Sequence, residues 1–234
     1  NKVSKVLSGK KRYDVVKKAK NADKYLFTAQ TYQQFPDYYQ TDFSFKKPQR
    51  VTNLNPQISN FAWGEKPELI SYKGFDGEDL QGVLIKPAGY KKGDKVPVVV
   101  YFYRYMSQRM YDFPKMELNH RPNFPMFTSN GYAIFLPDIR FEIGHPGKSS
   151  TQTMINATQK LIDLGIADPD KIGLQGHSWA GYQSAFMITQ TDMFKAVVSG
   201  APVSNMTSAY SGIRLKSGLA RQFQYETGQS RIGK

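Results

Sequence analysis

The sequence predicts an α/β fold, a mostly parallel sheet with helices on both faces, preceded by a smaller set of antiparallel strands. Three observations carry this. Val96–Tyr103 and Tyr132–Leu136 are continuous apolar runs, as expected of strands covered on both faces. From Ser150 onward helical and strand patterns alternate, and alternation of that kind builds a parallel sheet with helices packed on it. Before about residue 58 there are short strand-like runs with no helix between them.

Composition bounds the answer. The chain has 234 residues, 40% hydrophobic and 14% aromatic, enough to bury a core. No run approaches the roughly 18–20 apolar residues of a membrane helix. Asn1-Lys2-Val3-Ser4 has neither an initiator Met nor a signal peptide's apolar core, so the expectation is a processed or excerpted chain. Cysteine is absent, which excludes disulfides and thiolate metal sites. This suits a cytoplasmic or a periplasmic home, with a periplasmic or secreted one slightly favoured. The net charge is +13, and eight bases fall in the first twenty residues (Lys2, Lys5, Lys10, Lys11, Arg12, Lys17, Lys18 and Lys20). Val3, Val6, Leu7, Val15 and Val16 are interspersed among them. The stretch therefore reads as a solvated face rather than a nucleic-acid-binding arm.

In chain order, Tyr13–Val16, Lys24–Thr31 and Tyr38–Phe45 read as strands. Their separators carry turn chemistry: Asn21-Ala22-Asp23, Phe35-Pro36-Asp37 and Lys46-Lys47-Pro48. So few strands are not expected to stand alone, and they read as the last piece of a larger β unit. Asn55-Pro56-Gln57 is the expected boundary, giving residues 1–58 and 59–234. Leu69–Tyr72 and Leu80–Ile85 are strands joined through the hairpin signal Asp76-Gly77. A helix is expected after the second apolar run, with Ser150 or Thr151 as N-cap and Met154, Ala157, Leu161 and Leu164 at helical spacing. Gly165 is its C-terminal stop. The turn Ala167-Asp168-Pro169-Asp170 leads into a further strand, helix follows over Tyr182–Thr189, and Phe194–Gly200 is the next strand.

The most informative stretch is Lys171–Tyr182. Ile172 and Leu174 make a buried strand, Gly176 permits a sharp turn, and Ala180 and Gly181 keep its far side thin. A serine on such a turn exposes its hydroxyl beside the first N–H groups of a helix. This is the nucleophile-elbow arrangement, usually G-x-S-x-G. Here the second small position is Ala180. Tyr103, Asp138 and Ser178 all fall at the C-terminal ends of strands, where open α/β sheets bind ligands.

The stretch from Asp168 to Tyr182, the run ending Tyr101-Phe102-Tyr103, and Ser199–Ser204 together resemble the prolyl oligopeptidase family of serine peptidases. The dipeptidyl-peptidase branch, especially its bacterial members, is the nearest likeness. The resemblance covers about Ala62 to Ser204 and implies an α/β-hydrolase domain capped by a β-propeller. On this reading residues 1–58 end the propeller, and residues 59–234 begin the catalytic domain. The resemblance further implies that Ser178 is the nucleophile. The Trp179 N–H and the Tyr103 hydroxyl are then the oxyanion donors. Tyr182, Val203 and Tyr210 fall where the family lines its substrate pocket. Arg104-Tyr105-Met106 after Tyr103 departs from the family's small residues and proline.

A serine nucleophile also needs a histidine base and an acid to orient it, which follow the serine in α/β-hydrolases. The histidines are His120, His145 and His177, all before Ser178, and the only acids after it are Asp192 and Glu226. Neighbours on a tight turn point apart, so His177 is a poor base and reads as a packed imidazole. His120 reads as solvated. The triad Asp and His are expected beyond Lys234, and this chain alone is expected to be inactive. The expected activity is hydrolysis of short peptides through an acyl-enzyme on Ser178. A serine esterase or a non-catalytic peptide-binding relative are the alternatives. The expected partner is a peptide substrate, with a homo-oligomer of the full-length protein left open. Nucleic acid, membrane, metal and cofactor are not expected.

Overall fold

The computed structural model describes residues 3 and 5–228. Lys2 of the basic stretch lies outside them.

Four antiparallel strands, β1 (Arg12–Lys18), β2 (Tyr25–Thr31), β3 (Gln34–Thr41) and β4 (Gln49–Arg50), form the first sheet in sequential order. In β2 the buried positions Phe27 and Ala29 lie two apart, on one face. The Phe27 ring stacks on Tyr39 of the next strand, centroids 5.6 Å apart. The expected turn at Phe35-Pro36-Asp37 is not one. The chain reverses between Thr31 and Gln34, and Pro36 lies inside β3. Ala29 faces Asp37 and Thr31 faces Gln34, so Phe35 and Pro36 together oppose Gln30. That is a bulge, where a residue without an N–H is tolerated. Asp37 is buried and structural, accepting from the Thr52 hydroxyl and the Leu54 N–H, both at 2.9 Å, and from Arg50. The third strand also ends before Phe45, because Asp42 caps a turn there through the Ser44 N–H at 2.9 Å.

The second sheet has six strands: β5 (Glu68–Lys73), β6 (Asp79–Ile85), β7 (Val96–Phe102), β8 (Ala133–Pro137), β9 (Ala167–His177) and β10 (Ala196–Gly200). Their order is β10-β9-β7-β8-β6-β5. The first four run parallel, while β6 is antiparallel to both β8 and β5. The expected turn before the serine proves to be an interruption within one long strand. Val96 pairs with Ala167 and Val98 with Ile172, so Asp168–Lys171 loops out of the ladder.

Alternation along the strands divides the core in two. Val98, Val100 and Phe102 of β7 and Ala133 and Phe135 of β8 face one side, packed with Met154, Ala157 and Leu161. These last come from α2 (Pro146–Asp163), and α3 (Trp179–Met187) adds Ala180 and Met187. Tyr101, Ile134 and Leu136 face the other side, covered by Phe124 and Phe127 of α1 (Phe124–Ser129) and by Tyr32 from the turn between β2 and β3. The two sheets are tied there by Arg12 to Asp112 at 2.7 Å and by the Phe113 N–H to Gln30 at 2.9 Å.

Helix α2 begins earlier than expected. Proline at its first turn, Pro146, starts it, and Ser150 and Thr151 are interior. Their hydroxyls bond back to the carbonyls of Pro146 and Gly147 instead of capping. Its end is as expected. Gly165 has φ 71°, with Gly165 N–H to Ile162 at 2.8 Å and Ile166 N–H to Leu161 at 3.0 Å, a Schellman closure. No described helix is long and apolar enough to cross a membrane.

Candidate active site

Ser178 sits between β9 and α3 with φ 61° and ψ −116°. A non-glycine residue there is strained, and such strain persists only where surrounding structure imposes it. The imposing contacts are close. The Ser178 N–H donates to the Gly200 carbonyl at 2.8 Å, tying the turn to β10, and the Tyr182 N–H returns to the Ser178 carbonyl at 3.1 Å. A Cβ on Gly176 would lie 2.2 Å from the Ala180 carbonyl oxygen, and one on Gly181 2.5 Å from that of Gly200. The backbone at the second small position approaches Gly176 that closely, and its own residue, Ala180, is fully buried.

Sheet register sets what lies beside the serine. Phe102 pairs with Gly176, and His177 pairs with Gly200. Tyr103 and Ser178 therefore leave neighbouring parallel strands at nearly the same level, on strands about 4.8 Å apart. Tyr103 is 40% exposed, Ser178 partly exposed. Trp179 is 2% exposed and opens α3, within the turn whose N–H groups have no carbonyl of their own helix to bond.

On the β10 side, Tyr182, Val203 and Tyr210 are brought together. They pack with Trp179, Ala209 and Tyr225 in one apolar cluster. The Trp179 ring lies 5.0 Å from that of Tyr182 and 6.1 Å from that of Tyr225. Arg221 donates to the Tyr225 hydroxyl at 2.9 Å, and the Tyr210 hydroxyl donates to Glu226. Hydrogen bonding to that carboxylate pushes the Tyr210 phenol pKa up. Ala201, in the segment leading to Val203, has φ 41° and is a second strained residue at this edge.

On the β7 side the loop after Tyr103 hangs on Asp138, which follows β8. One of its carboxylate oxygens accepts from the Met106 N–H at 2.5 Å and the Ser107 N–H at 2.7 Å, and the other from the Ser107 hydroxyl at 2.7 Å. His120 belongs to this side too. It is exposed, as expected, yet its ring stacks on that of His177, centroids 4.3 Å apart. Its carbonyl accepts from the Gln175 side chain at 3.0 Å. Burial against His177, and then repulsion from His177, Arg121 and Arg109, hold the His120 pKa below its ordinary value. His145 is placed elsewhere, at the cap position of α2. Among the described residues no group of three His, Cys, Asp or Glu side chains could hold a metal ion.

Asp138, His120 and Tyr225 gained no role from the sequence. The contacts that matter join positions far apart in the chain, and no local pattern announces them. The one usable signal was Asp138 standing at a strand C-terminus.

Residues 119–229 match the model of the prolyl oligopeptidase family. Over this stretch the chain is similar to that family. Dipeptidyl peptidase 8 of Homo sapiens is 26% identical over 156 residues, 59% of this chain and 17% of the relative. An acylaminoacyl peptidase bound to Z-Gly-Gly-Phe-chloromethyl ketone superposes with a TM-score of 0.73 at 22% identity, over 98% of this chain and 36% of that one. Dipeptidyl peptidase 4 of Porphyromonas gingivalis superposes with a TM-score of 0.63 at 20% identity, over 82% of this chain and 29% of that one. The fold is thus that of an α/β-hydrolase preceded by antiparallel strands. The chain spans about a sixth of that curated relative's length.

Proposed function

We propose that this chain is part of a serine peptidase that hydrolyses short peptides through an acyl-enzyme on Ser178. The carrying observation is the strained backbone of Ser178 at the C-terminal edge of the parallel sheet, held by Gly200 and by the close approach at Gly176. An elbow of this kind lifts the hydroxyl clear of the sheet for attack on a carbonyl. The Tyr103 hydroxyl and the Trp179 N–H then receive the negative charge that develops on the carbonyl oxygen. Two such donors fixed in advance are worth roughly 3–4 kcal/mol each in the transition state. Tyr182, Val203 and Tyr210 take the side chain before the scissile bond, since an apolar cluster next to the nucleophile suits a small or cyclic apolar group.

The general base and the acid that orients it are assigned to a later stretch of the full-length protein. No histidine follows Ser178, and the relatives are several times longer than this chain. We assign residues 1–58 to the end of a propeller-like domain and 59–234 to the first part of the catalytic domain. The test is hydrolysis of matched peptide and ester substrates by the full-length protein and its Ser178→Ala variant. Peptide cleavage lost in the variant is the expected result. Cleavage of esters alone, or peptide cleavage that survives the substitution, would overturn the reading.

A further inference from the structure

We propose that the cavity beside Tyr103 is a subsite for a carboxylate on the leaving-group side of the substrate. This rests on the peptidase reading of Ser178. The cavity has a volume of about 490 Å³, and Tyr103 and His120 both form part of its wall. His120 lies against His177, the residue before Ser178, so the cavity opens next to the elbow. Arg104, Arg109 and Arg121 line the same space, and no Asp or Glu does. None of the ion pairs among the described residues joins these three arginines to a carboxylate. Arg104 is placed over the rings of Tyr105 and Phe141, at 5.3 and 5.9 Å. Arg109 is half-buried, and burial together with the neighbouring Arg121 disfavours its charge. Asp112 acts in the opposite sense, but Arg12 engages it at 2.7 Å. Guanidinium groups gathered in a cleft without their own counter-ion are matched by an anion, and a planar carboxylate suits their geometry.

Strand order decides which part of a substrate arrives there. Ser178 follows β9; β10 flanks that strand on one side and β7 on the other. The apolar cluster lies toward β10 and takes the acyl part, so a chain extended across Ser178 runs its leaving part over the β7 edge. The carboxylate is either the free C-terminus of the substrate or an acidic side chain after the scissile bond.

The experiment is calorimetric titration of the full-length protein with three dipeptides. Ala-Ala carries an α-carboxylate, Glu-Ala amide only a side-chain carboxylate, and Ala-Ala amide neither. We expect Ala-Ala amide to bind about 10-fold more weakly than the better of the other two, the order of one charge-assisted contact. Whichever of those two binds better identifies the source. Arg121→Gln, at an exposed position, should remove the difference, and Arg109→Gln should do the same. Lys91→Gln with Lys92→Gln removes two charges at the opposite end of β7 and should leave it intact. Equal binding of all three dipeptides would overturn the proposal, as would a preference that survives both arginine variants. Carboxylate-dependent binding in a protein whose Ser178 is unreactive would support the subsite and overturn the peptidase reading instead.

Discussion

The sheet edge is built differently on the two sides of Ser178. Toward β10 it is apolar: Trp179, Tyr182, Val203, Tyr210 and Tyr225 pack on one another, and the hydroxyls of Tyr225 and Tyr210 are met by Arg221 and Glu226. Toward β7 it is polar and cationic, and its loop is held by a single buried carboxylate, Asp138. The difference is instructive about robustness. A packed cluster loses one contribution per truncated side chain, whereas a loop anchored on one acid loses its position when that acid goes. Both sides border Ser178, because register brings Tyr103 and Ser178 to the ends of adjacent strands.

Four substitutions probe that contrast. Tyr103→Phe removes one hydroxyl from a residue that is 40% exposed. It should lower kcat of the full-length protein by about 10²–10³-fold, the usual loss of one oxyanion donor. KM and the denaturation midpoint should hardly change. Asp138→Ala leaves the Met106 and Ser107 N–H groups without their acceptor. A cost of about 3 kcal/mol is expected in chemical denaturation, with a fall in activity because the Tyr103 loop is released. Gly176→Ala forces a methyl against the Ala180 carbonyl, and overpacking of that kind costs about 1–3 kcal/mol. The smallest effect is electrostatic. His120 has a folded-state pKa below its ordinary 6.5, so the unfolded chain binds its proton first as pH falls. Its contribution is present above the ordinary His range and is lost on acidification, so stability should decline as pH falls through about 6.5. His120→Gln should flatten that decline in urea midpoints measured on both sides of that pH.

Much of the second sheet was legible because its signals are local. Continuous apolar runs mark β7 and β8, and the strand–glycine–serine–small-residue sequence marks the elbow. The aromatic cluster was partly legible too, through the resemblance that singled out Val203 and Tyr210. What escaped has a physical pattern. Pro36 looked like a turn because a bulge opposite Gln30 cannot be read from one strand alone. Ser150 and Thr151 looked like caps because a hydroxyl bonding back to its own helix leaves the same letters. The cationic side of the site depends on loops brought over the sheet. His120 meets His177 across 57 positions of sequence, and Asp138 reaches Met106 across 32.

The most direct measurement is covalent labelling of the full-length protein with a fluorophosphonate, with the modified residue located by mass spectrometry. A nucleophile at the elbow predicts modification on Ser178, absent in Ser178→Ala and slowed by Tyr103→Phe, which withdraws a donor from the phosphonyl oxygen. An intact, folded protein whose Ser178 stays unmodified, or whose label falls on another residue, would contradict the assignment of Ser178.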